Sequence, residues 1–309
     1  MHSKLSKLWS CGAAVALVLG CCTLYPARAQ TAPDAPPDGA AGPSSDVNYG
    51  YSLFNPVPDA QMRPLASDRP GKSQSPVTVD AGHFQIEADL FNFSFGRDGQ
   101  TTTRQWSTPN ALLKLGLSDG VDLEVIAPGA QSFEYNDRTT KQLVKASGIT
   151  DTWVGAKFNL FGDDPNDGPA GLALAMIPMI KIPTASKALG NNRWEATVAI
   201  PCQISLPGDW ALVVQNNDGL RANYTGQGYH GDFQGLVNIS HSLYFQNLTA
   251  ALEYAYDYAL EGFEGHSSTV DPSLQWQVAK GLALDMGNYI GTSGKAPAEN
   301  PYVGITVRF

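Results

Sequence analysis

The stretch LEYAYDYALE, residues 252–261, sets Glu253, Asp257 and Glu261 on one side of an extended chain and Leu252, Tyr254, Tyr256, Tyr258 and Leu260 on the other. Charge facing one way and apolar surface the other recurs down the sequence. Glu87 with Asp89, Asp122 with Glu124, and Arg193 with Glu195 follow the same rule, as do Lys114, Lys157, Lys181, Asp285 and Arg308. Charged groups cannot face hydrocarbon without large cost, so this set is assigned to an interior or its rims. Two kinds of chemistry are open to it. Opposed acids and bases can neutralise one another across strands and fill the interior. Alternatively, nine acids against five bases give a transverse field with a weak preference for cations, as in charged pore linings. Glu253, Asp257 and Glu261 have no base in their own stretch and are the candidate acidic stripe.

Catalytic chemistry has one candidate. In NISHS, 238–242, His241 stands between Ser240 and Ser242, a pair of residue types that serves outer-membrane phospholipases. On a strand the serines point away from the histidine, so nucleophile and base do not meet by alternation. There is no Gly-x-Ser-x-Gly, no histidine spacing suited to a metal, and no cofactor motif; His83, His230 and His266 fall near turns. The expectation is a protein that is not an enzyme.

The chain has 309 residues, 31 Gly, 24 Tyr plus Phe, and 16% charged residues, a composition that suits many strands and tight turns. Twenty basic side chains against 29 acidic ones give no footprint for nucleic acid. Residues 1–29 read as a signal peptide: Lys4 and Lys7, an apolar run from Cys11 to Leu24, and Ala27-Arg28-Ala29 before the cleavage point. A competing lipid-attachment site at Cys21 is disfavoured by the bulky Leu19. Cleavage leaves Cys202 alone, without an internal disulfide partner. Residues 30–47 are a Pro/Ala-rich disordered leader, 48–81 an irregular extension, and 82–309 a run of strands.

These alternating stretches predict twelve strands, near 82–96, 102–117, 121–135, 148–162, 169–183, 193–206, 210–224, 229–245, 248–262, 267–280, 282–292 and 300–309. Most exceed the 5–6 residues usual in soluble sheets and suit tilted membrane strands of about 9–11. Tight connections (118–120, 163–168, 207–209, 246–247, 280–281) alternate with mostly longer ones (136–147, 184–192, 225–228, 263–266, 293–299), as membrane barrels require. Trp106, Trp153, Trp194, Trp210 and Trp276 fall near strand ends, where an aromatic girdle belongs. The terminal PYVGITVRF puts Val303, Ile305, Val307 and Phe309 on one face, like the signal read by the barrel-assembly machinery. The predicted fold is all-β, a transmembrane antiparallel up-and-down barrel in outer-membrane lipid with its N-terminus periplasmic. A soluble lipocalin-like binder is the alternative.

ASDRPGKSQSPVTVDAGHFQIEADL, 66–90, with YSLFNPVPDAQMRPL upstream and TPNALLKLGLSDGVDLEV downstream, resembles the outer-membrane transporters grouped as the MetA-pathway phenol-degradation family. The resemblance spans roughly 48–309. It implies passive or facilitated passage of small, often aromatic or hydrophobic molecules and supplies no catalytic residues. A non-conducting anchoring barrel is the other reading. Within 48–81, Arg69 and Lys72 are expected against lumen acids at the periplasmic mouth.

Overall fold

The structure is a computed structural model and describes residues 50–162, 171–243, 247–260, 265–293 and 296–309. The signal segment, the leader 30–47, the 163–168 connection and Glu261 lie outside the described residues. Residues 51–309 form one compact unit.

Among the described residues fifteen strands follow in chain order. The first seven are β1 (Phe84–Asp98), β2 (Thr101–Thr108), β3 (Ala111–Ser118), β4 (Val121–Ala127), β5 (Ala130–Asp137), β6 (Gln142–Ile149) and β7 (Thr152–Phe161). Then come β8 (Leu172–Ile182), β9 (Glu195–Leu206), β10 (Trp210–Ala222) and β11 (Tyr229–Ser242). The last are β12 (Leu248–Ala259), β13 (His266–Ala279), β14 (Leu282–Gly291) and β15 (Glu299–Arg308). Twelve of them close an antiparallel ring, β1–β3–β4–β7 and then β8 to β15 in sequence, sealed by pairing of β15 with β1.

The other three continue ring strands past a bend. Pro109 and Asn110 separate β2 from β3, and Pro128 and Gly129 separate β4 from β5. Proline cannot donate to a ladder, so the pairing breaks there. Above the bend β1 pairs with β2, β2 with β5 and β5 with β6, forming a four-stranded blade on one side of the ring. The connection expected at 136–147 is therefore mostly strand, with its turn at 138–141.

The faces of each ring strand are inverted relative to a soluble sheet. Leu90, Ile180, Leu252 and Met286 point outward, each at least half exposed, while Lys114, Asp122, Glu124 and Lys157 point inward with 1% exposure or less. Only a lipid surrounding makes that arrangement favourable. Trp106, Trp194, Trp210 and Trp276 are exposed on the outer surface. Trp153 departs from the expected girdle. It pairs with the buried Lys181 and packs against Ile177, Met179 and Ala199 inside the ring. It shares parity with Lys157, which fixes its direction.

On β15, Tyr302, Gly304, Thr306 and Arg308 are buried, with Val303, Ile305 and Val307 on the opposite face. Phe309 extends the seam: its N–H bonds Phe84 O at 2.8 Å, the Phe84 N–H bonds Phe309 O at 3.2 Å, and the rings stack at 6.5 Å. Residues 51–62 lie across this same end. Leu53 N–H reaches Leu117 O at 3.0 Å, Lys280 bonds Asp59 O, and the His83 ring lies between Val57 O (2.7 Å) and Phe309 O (2.9 Å).

Deleting Phe309 removes two backbone bonds at the seam, each worth about 0.5–1.5 kcal/mol. The expected outcome is a lower unfolding temperature in gel-shift melting and a smaller folded fraction in the membrane. Melting equal to the parent protein would show that the ring closes without this pair.

Candidate functional site: the charged bore and the segment inside it

Strand register decides which inward side chains share a level. Asp89 on β1, Gly304 on β15 and Asp285 on β14 stand in one row. Gly304 presents no side chain, and the Arg69 guanidinium lies over it. Arg69 Nη1 is 2.7 Å from Asp89 Oδ1, Nη2 is 2.8 Å from Asp285 Oδ1, and Nε donates to Asp285 Oδ2 at 3.0 Å. A Cβ at 304 would collide with that guanidinium. The glycine between two carboxylates is a socket for a planar, forked cation.

One residue earlier, Asp68 meets the opposite charge. Its carboxylate lies 2.6 Å from Lys114 Nζ and 2.8 Å from Lys157 Nζ. Lys114 also contacts Glu87 at 2.6 Å. Glu87 in turn accepts from Ser67 Oγ and the Asp68 N–H, both at 2.9 Å. Glu124 is 3.6 Å from Lys157, and neither of its oxygens has a hydrogen-bond partner among the described residues. Asp122 accepts the Val79 N–H at 2.9 and 3.1 Å. Gly116 pairs with Asp122 and lets the backbone of Val79 and Asp80 pass against β3. Asp80 then binds Arg63 at 2.9 Å and Arg308 at 3.1 Å. Residues 63–80 are thus threaded through the ring and bonded to the wall formed by β14, β15, β1, β3, β4 and β7.

Between the two charged anchors the segment makes a loop that crosses the bore. Its neck is closed by the Ser75 N–H bonding Asp68 Oδ1 at 2.8 Å. Its tip reaches the far wall, where the N–H groups of Lys72 and Ser73 each donate to Glu253 at 2.9 Å. The Gln74 N–H meets Gln215 Oε1 at 2.6 Å. Lys72 Nζ donates to Thr269 at 3.3 Å and lies 5.1 Å over the Tyr289 ring.

Beside this loop is a cavity of about 310 Å³ between residues 63–77 and the inner faces of β9 to β13. Its far wall is uncharged and mostly small: Ser205, Ala211, Ser240, Thr249 and Ala251, with Gln203 and Gln275. At the blade end a second cavity, about 440 Å³, is lined by Ile126, Trp153 and Leu189 together with Asp151 and Lys181. Charged contacts rim it: Lys181 lies 3.2 Å from Asp151 and 3.1 Å from Glu195, and Arg221 is 3.3 Å from both Glu195 and Asp232.

Glu87, Asp89, Lys114, Asp122, Glu124, Lys157, Lys181, Glu195, Glu253, Asp285 and Arg308 all sit on inward strand positions. Asp257 does too, accepting from Gln234 (2.5 Å) and Ser267 (3.2 Å). Arg193 does not. β9 begins at Glu195, so alternation does not reach Arg193, whose guanidinium covers the Tyr229 ring at 5.1 Å and bonds Gly226 O. Arg69 and Lys72 meet wall residues deep in the bore. Glu253 binds backbone amides, so the acidic stripe is not free along its length. Asp68, Asp80, Arg63 and Gly304 belong to the site without having been singled out in the sequence. A glycine at an inward position of a terminal strand was the available signal. Ser240 lines the lower cavity, whereas His241 faces outward against Trp210 at 4.4 Å.

The MetA-pathway of phenol degradation family matches residues 67–309, and the chain belongs to that family. An outer membrane channel from Pseudomonas putida F1 has a similar structure: TM-score 0.55, 13% identity, 78% of this chain and 99% of that one covered. At that identity the likeness shows a shared fold. The NanC porin matches at TM-score 0.43 and 9% identity, covering 72% of this chain and 98% of its own. The transport unit of the autotransporter AIDA-I from Escherichia coli matches at 0.49 and 11%, covering 74% and 90%. No curated protein sequence matches.

Arg69→Ala leaves the buried Asp285 carboxylate without its cation, a loss of about 3–5 kcal/mol for a broken buried pair. Gly304→Val evicts the same guanidinium by volume. Both variants are expected to expose residues 63–80 to proteinase K in the folded barrel, read by mass spectrometry of the fragments. Protection equal to the parent protein in both would show that the socket does not hold the segment.

Proposed function

We propose that this protein is an outer-membrane channel for small, uncharged or weakly polar molecules, and that the loop at 70–75 is its gate. The observation that carries this reading is the unequal anchoring of residues 63–80. One wall grips the segment by ion pairs, while the loop tip rests on the other through hydrogen bonds to Glu253, Gln215 and Thr269. Releasing the tip requires none of the charged anchors to part. It would open the lower cavity, whose far wall is uncharged, to the space above, past the carboxylates of Glu253 and Asp271. The apolar lining of the upper cavity, Ile126, Trp153 and Leu189, suits a solute with an apolar ring or edge. The family's name refers to phenol degradation, which makes simple phenols the first solutes to try.

In this reading the end carrying residues 51–62 and the short turns is periplasmic, and the blade is extracellular. Val303, Ile305, Val307 and Phe309 serve the barrel-assembly machinery, and the apolar outer belt contacts membrane lipid. Asp257 and the carboxylates not bound by residues 63–80 give whatever ion preference the open state has.

The test is planar-bilayer conductance together with phenol uptake into proteoliposomes, for the parent protein, for Glu253→Ala/Gln215→Ala, and for a deletion of 70–75. Small, infrequent openings are expected of the parent and several-fold larger conductance of both variants. Ala251→Trp, placed in the uncharged wall, is expected to reduce uptake in the released background. Silence from all three folded proteins would end the channel reading in favour of a non-conducting barrel.

A further inference from the structure

The blade carries an ordered outward face for which the bore has no use. Register places Phe93, Trp106, Ser132 and Ser147 in one row across β1, β2, β5 and β6, and Phe95, Arg104, Glu134 and Lys145 in the next row. Phe91 and Phe93 meet the Trp106 ring edge-on at 5.0 and 5.6 Å. Phe91 is paired with the outward Val303, so this face continues the lipid-facing surface of the ring.

Aromatic residues mark the membrane interface, and Arg104 stands two residues beyond Trp106 along its strand, roughly 7 Å further out. Arg104 and Lys145 are therefore at the level of lipid headgroups. They are 60% and 65% exposed and share one carboxylate, Glu134, at 4.0 and 2.9 Å. Glu299 extends the row beyond Phe95 and Arg97 stands one row further out, so the outward face carries three cations against two carboxylates, in a chain whose formal net charge is −9. The Arg104 and Lys145 side chains border a hollow of about 500 Å³ lined by Phe93, Trp106, Glu134 and Ser147 as well. Arg104 and Lys145 lie two strand spacings apart, about 10 Å. Their charged ends nevertheless meet at the one Glu134 carboxylate, so a phosphate group of a lipid headgroup in its place would reach both.

We propose that this face docks a phosphorylated, multiply acylated glycolipid of the outer leaflet, its phosphate on Arg104 and Lys145 and its acyl chains on Phe91, Phe93 and Trp106. The proposal rests on the extracellular placement of the blade given above and not on conduction. Its charge complementarity is phosphate against guanidinium and ammonium, and its apolar part is continuous with the belt already in lipid.

Native mass spectrometry of the full barrel, incubated in detergent with diphosphoryl lipid A or its dephosphorylated counterpart, tests it. The parent protein is expected to retain the diphosphoryl form with roughly tenfold preference. Arg104→Glu/Lys145→Glu is expected to lose that preference while keeping the heat-dependent gel shift of a folded barrel. Glu134→Gln, which frees both cations and needs no refolding of the blade, is expected to raise retention. Equal retention of the two lipids by the parent, or no gain in Glu134→Gln, would overturn the proposal. Conductance is not read in this experiment, so its outcome is separate from that of the channel test.

Discussion

Charge that cannot face hydrocarbon has to be gathered and neutralised in one enclosed space. The ring's outer face is largely apolar, so most of its acids and bases point inward, where water is scarce and an uncompensated charge is costly. Strand-to-strand pairing meets part of the need, as between Lys114 and Glu87 or Lys181 and Glu195. The remainder is supplied by residues 63–80. Asp68 answers Lys114 and Lys157, Arg69 answers Asp89 and Asp285, Asp80 answers Arg308, and backbone amides answer Asp122 and Glu253. The segment is the counter-charge of the wall as well as an obstacle in the bore.

That division explains the two sides of the interior. Where the wall is charged, the segment is fixed to it; where the wall is Ser, Thr, Ala and Gln, a cavity remains. A passage that avoids the ion pairs can change shape without breaking them, and this is why gating is assigned to the 70–75 loop and not to the whole segment.

The ring was largely legible in the sequence, because period-two patterning over long stretches has few other meanings. The assignment of Glu87, Lys114, Asp122, Lys157 and Asp285 to the interior follows from parity alone. The finer features were not legible, for physical reasons. Trp153 was expected at a girdle from its closeness to a strand end, yet its own parity with Lys157 sends it inward. Arg193 was placed by extending alternation two residues beyond where the strand begins. The blade was hidden because Pro109 and Pro128 bend strands that continue past them. The row Asp89–Gly304–Asp285 joins residues from both ends of the chain, and only the closing register of β15 on β1 brings them level. Alternation says which face a residue takes; it does not say what stands beside it three strands away.

The placement of Arg69 has a consequence for the order of events in assembly. Its two carboxylates come from the first ring strand and the last but one, and the glycine beneath it from the last. No nascent barrel missing its final hairpin can offer this site, so a segment made before any strand has its main anchor only after all of them. Closure and formation of the Arg69 clamp are then a single late step. Bringing such distant parts of the chain together carries an entropic cost, and the clamp forms across the seam where the open ring would otherwise separate.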